Sequence, residues 1–153
     1  MLYSEVKMMN KIQAMSELRK AIQIFLSQLD PEENEELIIS VPTVFPAYEV
    51  DKQYKVKDVF RYGENAVGDP QLYQVLQAHT SAIQWKPDEA VSLYKKIGVT
   101  EEGYPEWVQP LGASDAYNTG DIVSFEGELY RSLIDGNVWS PSAYPAGWEV
   151  VES

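Results

Sequence analysis

The side chains that could carry catalysis are few here, and they are not grouped for it. There is one histidine, His79, and no cysteine. This excludes His-based triads, multi-His metal centres, thiolate sites and disulfides. No GxSxG or HExxH motif accompanies His79, which reads as a turn histidine bonded to Thr80 or Ser81. Carboxylates are plentiful, but they fall in solvated runs, Glu32-Glu33-x-Glu35-Glu36 and Glu101-Glu102. A chain of 153 residues also lacks the cleft in which a glycosidase sets its two acids. Asp58 and Asp121 read as turn residues that bond the backbone ahead of a strand. Asp115, Asp121 and Asp135 lack the spacing of an EF-hand loop. The expectation is therefore a non-enzyme with no catalytic residue, no metal site and no cofactor. Aromatic stacking is what remains: the chain holds four Trp, ten Tyr and four Phe.

Charge narrows the partner. The formal net charge is -12, and residues 104–153 carry eight acids against one base, Arg131. Nucleic acid and anionic membrane surfaces are excluded, since both call for clustered Lys and Arg. An acidic, aromatic-rich segment suits a neutral, stackable partner. No apolar run of about 18 residues is present. The start, MLYSEVKMMNK, has no secretory h-region. Synthesis in the cytoplasm is expected, with any role outside a cell reached by lysis or inside a larger particle.

Positioning falls to three regions. Residues 3–29 predict one amphipathic helix, with Val6, Met9, Ile12, Met15, Leu18, Ile22, Phe25 and Leu29 at spacings of three and four. Met8, Ile24 and Leu26 widen the stripe. Asp30-Pro31 ends it and predicts a shorter helix over roughly 31–39, capped by Asp30. The stripe must be buried, either on the chain's own modules or in a helical bundle of several copies, for which a trimer is favoured. Met15, Leu18, Ile22, Phe25 and Leu29 fit the a/d seam of a coiled coil.

The remainder repeats itself. Phe45-Pro-Ala-Tyr48 matches Tyr104-Pro-Glu-Trp107, and Tyr54-x-x-x-Asp58 matches Tyr117-x-x-x-Asp121. Leu72-Tyr73 matches Leu129-Tyr130, Trp85-Lys-Pro87 matches Trp139-Ser-Pro141, and Tyr94 matches Trp148. Ile122–Phe125 predicts a strand, Glu126-Gly127 a hairpin turn and 128–133 the return strand. The first copy has a longer loop, Gly63 to Gln71. The expected class is α+β: a helical attachment or oligomerisation region (1–41), a degenerate β module (42–98) and a second β module (103–153), both small and antiparallel.

The second copy resembles the chitin-binding type-3 modules, small carbohydrate-binding domains of families five and twelve. The matching residues are Trp107, Tyr117-x-x-Gly120-Asp121-x-Val123-x-Phe125-x-Gly127-x-x-Tyr130, Pro141 and Trp148. The first copy departs from the pattern, with Tyr48 for the first Trp, Lys57 for the turn Gly and Tyr94 for the closing Trp. Its stretch Gln77-Ala-His-Thr-Ser81 and Trp85-Lys-Pro87 resembles copies found in tailed-phage and prophage proteins. The resemblance covers about 105 residues.

It implies a non-enzymatic virion protein, a tail-fibre or head-decoration subunit, that attaches to host cell-surface polysaccharide among other virion proteins. The alternative is a structural spacer or assembly protein of the particle with no sugar ligand. Trp107 and Trp148 would be core, by the same likeness. Trp139, in a loop with Gly136, Asn137 and Pro141, would be the exposed platform, with Tyr144 beside it and Trp85 as its counterpart in the first module. Sugar binding needs such a flat aromatic face together with nearby polar groups. The competing reading leaves Trp139 and Trp85 as caps over their own small cores.

Overall fold

The computed structural model describes residues 2–152, so Met1 and Ser153, at the outer ends of the first and last expected regions, lie outside the described residues. The class is α+β: one long N-terminal helix followed by small antiparallel sheets. Helix α1 spans Leu2–Ser27. The second helix starts later than the sequence predicts, at Glu35, and α2 covers only Glu35–Ser40. Residues 31–34 are used up by a tight turn. Asp30 accepts Glu32 N–H on its carboxylate at 2.9 Å, and its carbonyl accepts Glu33 N–H and Asn34 N–H. Pro31 is fully buried in that turn.

The strands are β1 (Gln53–Tyr54), β2 (Val59–Glu64), β3 (Pro70–Val75), β4 (His79–Thr80), β5 (Tyr94–Ile97), β6 (Ile122–Phe125), β7 (Glu128–Ser132) and β8 (Trp148–Val151). They form a β1-β4 pair and two three-stranded sheets, β2-β3-β5 and β6-β7-β8. The turn joining β6 to β7 is two residues, Glu126 (φ 51°) and Gly127 (φ 84°). Two left-handed residues in succession give the type I′ geometry whose twist matches a tight hairpin. Ile122 thereby pairs with Arg131, and Phe125 with Glu128.

The chain forms two compact units, Met1–Arg61 with Tyr73–Lys95, and Tyr62–Leu72 with Lys96–Ser153. The first is built on rings. Phe60, fully buried, has Tyr48, Tyr54, Tyr73 and Tyr94 within 5.2–5.8 Å of its centroid. Phe60 meets Tyr94 edge to face and lies nearly parallel to Tyr73, the arrangements a ring quadrupole favours. In the second unit, Ala66 N–H donates to Gly103 O at 2.8 Å and Gln71 Nε2 to Ile97 O at 3.1 Å. These bonds hold the long loop of the first hairpin to the chain after Lys96.

Corresponding bonds recur at aligned positions in 46–94 and 105–148. Tyr48 N–H donates to Arg61 O, and Trp107 N–H to Ser124 O. Tyr54 Oη accepts Glu49 N–H, and Tyr117 Oη accepts Val108 N–H. Asp58 accepts Lys55 N–H, and Asp121 accepts Asn118 N–H. The Lys86 carbonyl accepts Glu89 and Ala90 N–H, as the Ser140 carbonyl accepts Ala143 and Tyr144 N–H.

One aligned position differs informatively. Gly120 turns at φ 97°, whereas Lys57 holds φ 74° with a full side chain, a conformation that strains L residues. The Lys57 ammonium reaches the Asp30 carboxylate and lies 3.7 Å from Glu32, tying the turn after α1 to this one. Asp30 is correspondingly held below the usual carboxylate range, first by the Lys57 hydrogen bond and then by Glu32 N–H. Salt screens such half-exposed pairs, while strain is indifferent to salt. Lys57→Gly is therefore expected to melt near the parent temperature in ~0.05 M NaCl and above it in ~1 M NaCl. A variant less stable at both salts would contradict this account.

Burial pushes the phenols of Tyr94, Tyr117 and Tyr54 upward. A raised folded value means that the neutral phenol is favoured by folding. That contribution is complete below the unfolded tyrosine value, about 10, and is lost as pH climbs through the higher folded values. Stability in urea is expected to be flat across pH 7–9 with respect to these groups and to fall above about pH 10.

Candidate functional site

Trp139 and Tyr144 are 49% and 42% exposed, and their ring centroids lie 5.6 Å apart with the planes at 61°. They form an angled pair, one ring meeting the other edge-on, and not a coplanar strip. A pyranose stacked on one ring would touch the other, a contact geometry open to any ligand with an apolar C–H face. Trp148 is buried and Trp107 half-buried.

The backbone beneath the pair is fixed from several sides. The Trp148 indole N–H donates to Trp139 O at 2.9 Å. Asn137 Oδ1 accepts Trp139 N–H at 3.3 Å. Gln109 Nε2 donates to Val138 O at 2.9 Å. The Ser140 carbonyl takes both Ala143 and Tyr144 N–H, and Pro141 is buried. Gly147 completes the support for Tyr144: a Cβ there would stand 2.7 Å from Tyr144 Cδ1 and 3.2 Å from Asn137 Nδ2. Only glycine lets the tyrosine ring lie this close to the chain. The Tyr144 hydroxyl has no hydrogen-bond partner among the described residues, and the Ser140 and Ser142 hydroxyls bond each other at 3.2 Å beside the rings.

Asn137 sits at the centre of this arrangement and is fully buried. Its Nδ2 donates to Ser132 Oγ and Gly147 O, both at 3.1 Å. Its backbone exchanges two hydrogen bonds with Tyr117. Sequence reasoning passed over Gln109 and Gly147 and took Asn137 only as a loop residue. The Gly136-Asn137 step marks a turn, but nothing local shows that the amide side chain points inward.

The first repeat carries a smaller version. Trp85 is 44% exposed, and the residue aligned with Tyr144 is Ala90, so no second ring accompanies it. The support differs as well. Nine residues separate Trp107 from Tyr117, against five between Tyr48 and Tyr54, so the segment that supplies Gln109 is longer in the second repeat. Asp115 builds that segment by accepting Leu111 and Gly112 N–H at 2.8 and 2.9 Å.

His79 is engaged, though not with Thr80 or Ser81 as the sequence reading has it. Its Nδ1 lies 2.7 Å from Gln77 O and its Nε2 lies 2.6 Å from Tyr94 Oη. A carbonyl only accepts, so Nδ1 carries a proton, and in the neutral ring Nε2 is the acceptor for the Tyr94 hydroxyl. Ser81 instead donates to Glu49 O. Asp115, Asp121 and Asp135 each take backbone N–H groups of their own turns or neighbouring ones. Among the described residues no group of three or more His, Asp or Glu is placed to hold a metal ion, and no helix is long and apolar enough to cross a membrane. Comparison with protein-family models and with curated proteins finds no match.

Proposed function

We propose that this chain is a non-enzymatic subunit of a phage or prophage particle, a tail-fibre or head-decoration protein, that attaches to cell-surface polysaccharide. The Trp139–Tyr144 pair carries the reading. Two large rings stand half exposed on a backbone held by Trp148, Asn137 and Gln109, although burying them would have served a small core. Rings offered on a rigid scaffold are characteristic of sugar stacking. The acidic composition of residues 104–153, eight acids and one base, favours a neutral glycan over teichoic or nucleic polyanions. Trp85 is a weaker second contact.

Sedimentation with insoluble chitin, peptidoglycan and host cell walls tests the reading. Retention on one of these, lost on substitution of Trp139, supports it. No retention on any of the three favours the structural alternative, a spacer or assembly subunit of the particle. That alternative draws on a separate observation, the apolar residues that α1 leaves uncovered.

A further inference from the structure

We propose that helix α1, Leu2–Ser27, assembles with the same helix of two other copies into a parallel three-helix bundle. Ten large apolar residues of α1 are between 49% and 78% exposed. At roughly 100 Å² apiece such side chains expose on the order of 1,000 Å², above the roughly 300–600 Å² patch typical of a monomer and on the scale of the roughly 800 Å² each partner buries in a stable interface. The protomer covers only the end of the helix. Leu26 is buried, Ile22 and Leu29 are half-buried, and the Gln23 side chain makes a long bond to Val44 O.

The shape of the uncovered surface selects the number of partners. A helix turns about 100° per residue, so each step of three falls about 60° short of a full turn. Val6, Met9, Ile12, Met15 and Leu18 are four such steps, and the apolar line winds about 240° around the helix between Val6 and Leu18. From Met15 to Phe25 the spacing alternates and the line straightens into a short heptad seam, whose Ile22 is already half-buried on the protomer. A single neighbour covers a straight seam but leaves a winding line half wet. Three is the smallest closed arrangement that gives every helix two neighbours, and an odd closed ring of identical helices is parallel.

The chemistry favours identical partners. Along the seam, Met15, Leu18, Ile22 and Phe25 bear no charge, and of the flanking positions 14, 19, 21 and 26 only Arg19 does. Such a seam neither repels a second copy nor carries the charge code that selects a different helix. Among the described residues the chain has no other helix longer than six residues to offer, so the partner helix comes from another molecule. Knobs and holes match when register is shared, as it is between copies.

Light scattering on the full chain, with sedimentation equilibrium over about 1–100 µM, decides. The expected mass is three times 17.3 kDa. A monomer or a dimer across that range overturns the proposal without recourse to any variant. The double variant Met15→Glu/Leu18→Glu alters residues exposed on the protomer and is expected to run as a monomer with unchanged tryptophan emission. A double variant that keeps the threefold mass places the interface elsewhere and also overturns it. None of these readouts depends on whether a saccharide binds.

Discussion

Trp139→Ala is expected to release the protein from polysaccharide while leaving its melting temperature close to that of the parent. The ring is half exposed, and the ring it meets, Tyr144, is itself 42% exposed. The backbone bonds that hold residue 139, to the Trp148 indole and to Asn137, do not require its side chain. Truncating an aromatic hot spot costs about 1–3 kcal/mol of binding, which is roughly a 5- to 150-fold loss per site. In a multivalent particle the loss compounds, because avidity multiplies single-site affinities. Trp85→Ala is expected to cost less, since Ala90 stands where the second ring would be. A Trp139→Ala protein that unfolds would make Trp139 a core cap. One that folds and still sediments with the polysaccharide would move the site away from this loop.

Local pattern carried much of the fold. Ile122-Val-Ser-Phe125, Glu126-Gly127 and the following strand are readable because alternation and a two-residue turn are properties of adjacent residues. The long helix is equally legible, since no Gly or Pro interrupts residues 3–29. Its end is read at Asp30-Pro31, yet the helix stops at Ser27, and the conformation of residues 31–34 is not legible either. Asp30 does not decide between helix and tight turn, because its carboxylate bonds Glu32 N–H here as it would when capping a helix. The stripe also hides its winding: spacings of three and four look alike in a sequence, yet a succession of threes departs from a single face.

The exposed rings of the candidate site were legible, and what lies beneath them was not. Trp139 and Tyr144 announce themselves as aromatics in a Gly-, Asn- and Pro-bearing loop. Gln109 and Gly147 do not, because their roles depend on contacts across 29 and three residues that no period encodes. The position of Lys57 is of the same kind. A lysine where the aligned turn has glycine looks like drift until Asp30 and Glu32 are seen at its ammonium. The grouping of residues 62–72 with the chain after Lys96 likewise rests on long-range bonds such as Ala66 to Gly103.

Asn137→Ala is expected to produce the complementary result, a large loss of stability with the rings still present. The side chain is fully buried and satisfies three groups: Ser132 Oγ, Gly147 O and Trp139 N–H. Gly147 O keeps the Leu133 N–H at 2.9 Å, and Ser132 keeps its own bond to Ile134 O. The Trp139 N–H is left without a protein partner, and a void replaces the amide. Losing the bonds of a buried amide costs about 1 kcal/mol each at most where the partners keep other bonds or are part-buried, and the cavity adds to it, so about 3 kcal/mol in all is the expected loss. For a unit of this size that corresponds to a fall in melting temperature on the order of 10–20 °C. Urea titration followed by tryptophan emission measures it directly. Because Asn137 also holds the backbone under Trp139 and faces Gly147 beneath Tyr144, retention on polysaccharide should weaken in the folded fraction as the rings lose their fixed angle. A variant within about 0.5 kcal/mol of the parent would show that the Trp148 indole and Gln109 hold the loop without the buried amide.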